Sequence, residues 1–382
     1  MSKVAGNEIP LLPENPENIP LFWPHIPKGA FEAVIDTLNS RWIGQGPKVD
    51  KFESEFSSRF CDGNAGIAVG SGTDALHLAY LLAGVGPGDE VIVPVFTCTA
   101  TNIPLLYIGA KIVFADVVPE TMNVDLNHIA SLITSKTKAI VVVHYGGQTV
   151  DVEALAQIIG NRDIKIIEDA AHALGSRLRG KLVGTLSDFT MFSFQAIKHV
   201  TTGDGGYLSF KDESLLAKAR SLRWFGINRE DKQKGIWEND IVEIGYKYQM
   251  TDISASIGLC GLAEFDETLI LRKSLFSQYV DGLKDTPGLK IIGDLENIDD
   301  HGAWLFSIHV ENRRALQEKL FLKGIESNQV HYRNDRYSIF GERRNNLPNM
   351  DRVEDSYLVL PLHTKMDFDK VDRVVNTVRS GW

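Results

Sequence analysis

Cysteine is nearly missing from this chain. Cys61, Cys98 and Cys260 are the three in 382 residues, far apart, with no Cys-x-x-Cys pair and no histidine at ligand spacing beside them. Neither a disulfide framework nor a structural metal site can be built from such a set, and a reduced, cytoplasmic setting with no metal is expected. Basic residues are also short, with 40 Lys and Arg against 50 Asp and Glu and a formal charge of −10. That balance argues against a general nucleic-acid or anionic-membrane surface, so any anion site has to be local. Long apolar runs are lacking as well. The charge-free stretch 91–110 is broken by Pro94, Asn102 and Pro104, and reads as strand, loop and helix rather than a membrane span. The first twenty residues carry no apolar segment of signal-peptide length, so secretion is not expected. Finally, no Gly-Lys-Ser/Thr follows a glycine-rich turn and no Gly-x-Gly-x-x-Gly is present, which removes the P-loop and the dinucleotide fingerprint.

What is present is ordinary globular material, 43% hydrophobic and 24% charged, in a length that favours two domains. Residues 1–28, with Pro10, Pro13, Pro16, Pro20, Pro24 and Pro27, read as an extended arm lying on the body of the protein or on a partner subunit. Short apolar strands then alternate with helices. The pattern predicts strands over 66–69, 91–94, 111–115, 139–143 and 165–168, with helices over 73–82, 100–108 and after Asp151. Such runs are the mark of an α/β fold with a mostly parallel sheet buried on both faces. Its ligand belongs beyond the carboxyl ends of the strands. After Phe210 the pattern shifts to a helix over 213–224, a charged loop over 228–234, a long helix from Asp252, a strand over 301–310 and a helix over 313–322. The expected division is a large domain over 29–265 and a smaller α+β domain over 266–382.

Three stretches carry chemistry. In Val69–Tyr80, VGSGTDALHLAY, a strand runs through Gly-Ser-Gly-Thr straight into a helix, leaving backbone N–H groups free to cradle a phosphate. The same residues serve equally as a well-capped turn with no ligand. In Lys165–Ser176, KIIEDAAHALGS, Glu168 and Asp169 end a buried strand, where an ionised carboxylate needs a cationic answer. A protonated pyridine nitrogen is one such partner; capping of a following Ala-rich helix is the other use of Asp169. Glu168 should face the opposite side of the strand. In Met191–Phe210, MFSFQAIKHVTTGDGGYLSF, a strand ends near Ser193 and a loop carries Lys198, an amine placed to hold a carbonyl cofactor.

Taken in order, WIGQGPKVDKFE, GSGTDALHLAY, GVGPGDEVIVPVFT, VHYGGQ, IIEDAAHALGS, Lys198 after SF, TTGDGG, GYKYQMTDISA and LPLH resemble the DegT/DnrJ/StrS family of pyridoxal-phosphate-dependent nucleotide-sugar aminotransferases, of fold type I. The resemblance spans nearly the whole chain. It implies pyridoxal 5′-phosphate as cofactor, L-glutamate and a keto-sugar nucleotide as substrates, and a homodimer with shared active sites. A cyclitol or other cyclic ketone as substrate, or a cofactor-binding regulator without turnover, are the alternatives. It implies further that Lys198 carries the cofactor and shuttles the proton, that Asp169 meets the pyridinium, and that Gly72, Thr73 and Ser193 hold the phosphate. His172 stands where many members have a glutamine facing the cofactor's phenolic oxygen. Cys98 stands where an aromatic residue often covers the ring; packing its sulfur there and lying as a plain core cysteine are both open. Lys247, preferred to Gln249, is the residue lent to a neighbouring subunit's phosphate. The loop TTGDGG resembles that of members acting at the sugar C4 rather than C3. In His331–Arg344, Arg333 and Arg336 are the diphosphate candidates, with Arg343 and Arg344 read as solvated surface charge.

Overall fold

The apolar runs assemble into one sheet. The computed structural model describes residues 12–229, 232, 234–238 and 240–382. Strands β1 (Ala65–Val69), β2 (Glu90–Pro94), β3 (Lys111–Ala115), β4 (Thr137–Val143), β5 (Lys165–Asp169), β6 (Phe189–Ser193) and β7 (Gly206–Phe210) form a seven-stranded sheet in the order β1-β7-β6-β5-β4-β2-β3. From β6 across to β3 every pairing is parallel. Only β7 runs against the rest, between β6 and β1. Val91, Ile92, Val93, Ala139, Ile140, Val141 and Ile167 have no exposed surface, because helices cover both faces of a sheet built this way.

Those helices start where the side chains can satisfy free N–H groups. In α1 (Ala30–Leu38), α2 (Pro47–Phe60), α3 (Gly72–Leu82), α4 (Thr99–Tyr107), α5 (Leu126–Leu132), α6 (Val152–Ile159), α7 (Leu216–Arg223) and α8 (Asp252–Leu283), four N-caps are explicit, among them Asp125, which accepts from the Asn127 N–H at 2.8 Å. Ser71 accepts from the Asp74 N–H at 3.1 Å, Asp151 from Ala154 at 2.9 Å and Thr251 from Ser254 at 3.2 Å. Asp252, the first residue of α8, turns its carboxylate outward to accept N–H groups of Gly46, Lys48 and Val49 at 2.7, 3.1 and 3.1 Å. It thereby caps α2 as well. No helix follows Asp169; 170–176 is a chain of turns, so the capping use of that carboxylate falls away.

The C-terminal region has its own antiparallel sheet, β8 (Leu289–Ile291), β9 (Phe306–Val310) and β10 (Tyr357–Leu360) in that order, with α9 (Arg313–Leu322), α10 (Pro348–Val353) and α11 (Phe368–Arg379) around it. The long helix α8 belongs to both cores. Ala255, Leu262 and Phe265 pack with Phe52, Phe56 and Phe194, whereas Leu275, Phe276, Tyr279 and Leu283 pack with Phe306, Ile308 and Leu358. Residue 265, the expected boundary, therefore lies inside an unbroken helix, just before its buried face passes from one core to the other.

The expected strand over 301–310 begins only at Phe306. Residues 302–305 instead run as irregular chain against 146–147: the N–H groups of Trp304 and Leu305 both donate to the Gly146 carbonyl, and that of Gly302 to Gly147. Ala303 has a φ of 48°, a left-handed conformation that a side-chain-bearing residue adopts at some cost. The described part of the arm lies on the same chain, with the Ile19 N–H on the Gly324 carbonyl at 2.8 Å and His25 between Thr364 and Glu264. Residues 1–11 and part of the charged loop fall outside the described residues. Among the described residues no helix is long and apolar enough to cross a membrane.

Candidate active site

The ends of β5 and β6 and the start of α3 converge, as open parallel sheets require of a ligand site. Asp169, the last residue of β5, is 4% exposed. Its Oδ2 accepts the Thr101 hydroxyl at 2.7 Å and its Oδ1 the Ala171 N–H at 3.1 Å. Burial pushes its pKa up, against the pull of those hydrogen bonds and of Lys198, which is the signature of a carboxylate lacking a full cationic partner. Glu168 faces the other way, as the pleat demands, taking His144 Nε2 at 2.8 Å and the Thr190 hydroxyl at 3.1 Å.

Lys198 stands in the loop after β6, which the Phe194 N–H to Gly205 carbonyl and Thr202 N–H to Phe194 carbonyl bonds draw tight. Its Nζ lies 3.6 Å from the centroid of the Trp304 ring. Burial drives its pKa down to about 7, with Asp169 and Cys98 opposing and Arg272 assisting. An amine in that range is neutral for part of its time at physiological pH, as a proton shuttle requires.

His172 lies flat on Trp304, ring centroids 3.8 Å apart at 16°, and its Nε2 is 3.3 Å from His331 Nε2. The Gly146 N–H donates to His172 Nδ1 at 3.3 Å. That bond leaves the ring proton of a neutral imidazole on Nε2. Burial, with Lys198 close by, holds His172 well below the ordinary histidine range and His331 at about 3.

At the opposite end, α3 begins against β6. A Cβ built on Gly72 would lie 3.1 Å from both Ser193 Cβ and Met191 Sδ, and 3.3 Å from Ser193 Oγ. Only glycine lets the helix N-terminus come this near the Ser193 hydroxyl, and Gly72 and Thr73 occupy the first turn, where N–H groups lack helical partners. A buried carboxylate, a low-pKa lysine and an anion cradle across one sheet edge fit a phosphorylated pyridine with a carbonyl: the donor set matches each end of such a molecule.

Other expected residues fare differently. Cys98 is exposed at the start of α4, on the Lys198 side, not in the core. Lys247 is exposed, its ammonium 5.3 Å from the Phe225 ring. Gln249 bridges to Val69, its buried Oε1 without a partner. Arg333 is a correction. It is 3% exposed and spent on carboxylates: Nε on Asp335 at 2.6 Å, Nη1 on Glu354 at 2.8 Å and on Asp351. With Nη2 also on Asp335 at 2.8 Å, four of the five N–H donors are spent, and the guanidinium has no fork left to offer a diphosphate. Arg336 remains exposed, stacked 4.5 Å over Tyr332. Arg343 pairs with Glu354 at 2.7 Å, and Arg344 donates to the Glu342 and Phe340 carbonyls. Among the described residues no three His, Cys, Asp or Glu side chains gather as a metal site would need. Thr101, Trp304 and His331 are site residues that sequence reasoning did not single out.

Comparison with known proteins places the chain in a family. The model of the DegT/DnrJ/EryC1/StrS aminotransferase family matches residues 24–379. The chain is 33% identical over 381 residues to the UDP-4-amino-4-deoxy-L-arabinose–oxoglutarate aminotransferase of Shewanella sediminis, covering 95% of this chain and 97% of that one. Among solved structures it superposes on the sugar aminotransferase CalS13 from Micromonospora echinospora with a TM-score of 0.89 at 33% identity, over 95% of this chain and 100% of the other. It superposes on the PLP form of the sugar aminotransferase Spr1654 from Streptococcus pneumoniae with 0.88 at 31%, over 95% and 98%. The chain therefore belongs to the DegT/DnrJ/EryC1/StrS aminotransferase family and is a pyridoxal-phosphate-dependent sugar aminotransferase of fold type I.

Proposed function

We propose that this enzyme moves an amino group from L-glutamate to the keto group of a nucleotide-linked sugar, at C4 of a 4-keto-6-deoxy sugar, providing an amino sugar for surface polysaccharide or glycoconjugate synthesis. The observation that carries the reading is the convergence of Lys198, Asp169 and His172 at one sheet edge, with an anion cradle at the start of α3. The named activity of the Shewanella relative supports both a C4 amine and the glutamate/oxoglutarate pair.

Pyridoxal phosphate, when bound, supplies the electron sink that lets a substrate carbon give up a proton. The chain's own residues do the rest. Lys198 anchors the cofactor and, as a neutral amine, takes the proton from that carbon and returns it. Asp169, held by Thr101 and the Ala171 N–H, keeps a proton on the pyridine nitrogen. His172 donates its Nε2–H to the phenolic oxygen, in the tautomer that Gly146 selects. Gly72, Thr73 and Ser193 bind the phosphate. Cys98 would pack its soft sulfur on the face of the ring. Lys247 serves the phosphate of a second copy, making the working unit a homodimer in the cytoplasm. Arg336, with donors free and a position beside Tyr332, meets the substrate diphosphate.

The test is a spectroscopic screen. Enzyme loaded with the pyridoxamine form is mixed with a panel of keto-sugar nucleotides, and return of the visible absorption of the lysine-bound form is followed. A response to 4-keto-6-deoxy sugars is expected. A response to 3-keto sugars alone overturns the C4 assignment, and silence towards every nucleotide sugar overturns the substrate class.

A further inference from the structure

The Trp304 ring is more tightly placed than a core aromatic needs to be. Its backbone N–H donates to the Gly146 carbonyl at 3.0 Å, its own carbonyl accepts Arg272 Nη2 at 2.9 Å, and its indole N–H donates to the Ile197 carbonyl at 3.1 Å. The ring is 2% exposed, with His172 stacked on it at 3.8 Å and Phe22, from the arm, at 6.0 Å and 19°. The left-handed Ala303 immediately before it is the backbone cost of that placement. What this arrangement presents is an indole face 3.6 Å below the Lys198 ammonium.

We propose that Trp304 is a positioning residue for the transfer reaction: its indole face receives the Lys198 ammonium whenever that amine is free, and holds it ready to be used again. The proposal rests on the aminotransfer reading above, in which Lys198 alternates between anchor and free base. Its physical basis is the attraction of a cation to the negative face of an indole, strongest when water is excluded.

The titratable and charged groups that face Lys198 are Asp169, Cys98 and Arg272, together with His172, His199 and His331. Burial keeps the three imidazoles uncharged at neutral pH, and Arg272 repels the ammonium. Asp169 alone cannot serve as its resting partner, since in the loaded enzyme that carboxylate is committed to the pyridine nitrogen. Trp304 is a neutral group that stabilises the charged amine without competing for that proton. It also fixes the amine's position, because the indole N–H bond to Ile197, the stacked His172 and a backbone tied to Gly146 and Arg272 hold the ring in place.

The experiment uses enzyme loaded with pyridoxamine phosphate, in which the Lys198 amine is free. The pH dependence of Lys198 trinitrophenylation by trinitrobenzenesulfonate, in which the neutral amine displaces sulfite from the ring, is read by peptide mapping, in wild type, in Trp304→Phe and Trp304→Leu, and in protein carrying 5-fluoro- or 5,7-difluorotryptophan at position 304. Losing the indole favours the neutral amine, so the midpoint should fall by about one pH unit in Trp304→Leu, less in Trp304→Phe, and stepwise with fluorination, which weakens the ring's negative face without changing its shape. Midpoints of the fluorinated proteins that match wild type, or that rise, overturn the proposal even where the leucine variant does not fold. Because the titration needs no sugar and no turnover, it is separable from the activity reading: a wild-type spectrum unmoved by glutamate would defeat that reading and leave this measurement intact.

Discussion

Thr101 donates its hydroxyl to Asp169 Oδ2 at 2.7 Å, and Thr97 Oγ1 lies 2.8 Å behind it. A hydroxyl has one proton, so with Thr101 committed to the carboxylate, the hydrogen between the two threonines comes from Thr97. The pair thus aims a single donor at the group assigned to the pyridine nitrogen. Thr101→Val removes that donor and leaves Asp169 only the Ala171 N–H. A hydrogen bond to a charged group contributes about 1.5–3 kcal/mol, so cofactor retention in Thr101→Val should weaken on the order of tenfold to a hundredfold, while Thr101→Ser stays near wild type. Cofactor titration by absorbance checks this; equal affinity in all three proteins would sink the role.

Asp169→Asn keeps the size of the side chain and loses its charge. The variant should still bind cofactor through the phosphate cradle and Lys198, but the glutamate half-reaction should slow on the order of a hundredfold or more. Stopped-flow spectra of the two proteins with glutamate give the ratio, and a wild-type rate in the variant refutes the assignment.

The two arginines make opposite predictions. Arg333 and Asp335 are 2% and 0% exposed, so Arg333→Ala leaves a buried carboxylate unanswered and should destabilise the protein by about 3–5 kcal/mol, seen as a large fall in Tm. Arg336→Ala should leave Tm near wild type, raise KM for the sugar nucleotide and leave the glutamate half-reaction alone. A sugar-binding defect in Arg333→Ala without a loss of stability would restore Arg333 as a diphosphate ligand.

Acid should unfold this protein through its histidines. Burial holds His77, His301 and His363 down at about 4, below the unfolded value of about 6.5. Between those limits the unfolded chain binds more protons than the folded one, so stability is complete above about pH 7 and is lost as pH falls towards 4, each residue costing on the order of 3 kcal/mol at most. Asp74 works the other way: burial raises it to about 6, and the folded state gains from its protonation below that pH. Three histidines outweigh one carboxyl. A Tm that stays level from pH 7 to 4.5 would count against this account.

Much of this fold is legible in the sequence. The strand Lys111–Ala115 and the helix Arg313–Leu322 have the ranges that their apolar patterns predict: the strand puts Ile112 and Phe114 into one core and Val113 and Ala115 into another, and the helix buries Leu316 and Leu320 in a single core. Lys198, Asp169, His172, Gly72 and Ser193 lie at one edge of the sheet because each ends a strand or comes within a few residues of one, a relation that chain order conveys. Thr101, Trp304 and His331 enter by contacts across long stretches of chain, Trp304 through the backbone of Gly146, and no local pattern announces such pairings. The His-Gly-Ala preceding Trp304 was a usable signal, since two small residues before a tryptophan interrupt a strand's alternation. Arg333 misled because a sequence displays its charge and not its neighbours, although Asp335 two residues on was a warning.

Helix α8 ties the N-terminal and C-terminal cores together with one rod of 32 residues. In mechanical terms it is a strut without a joint: neither proline nor a break in its hydrogen bonding offers a hinge along its length. Closing over a bulky substrate by swinging one core against the other would have to flex this strut. Admission of a sugar substrate therefore falls to the side chains and loops at the site's rim rather than to a hinge between the two halves.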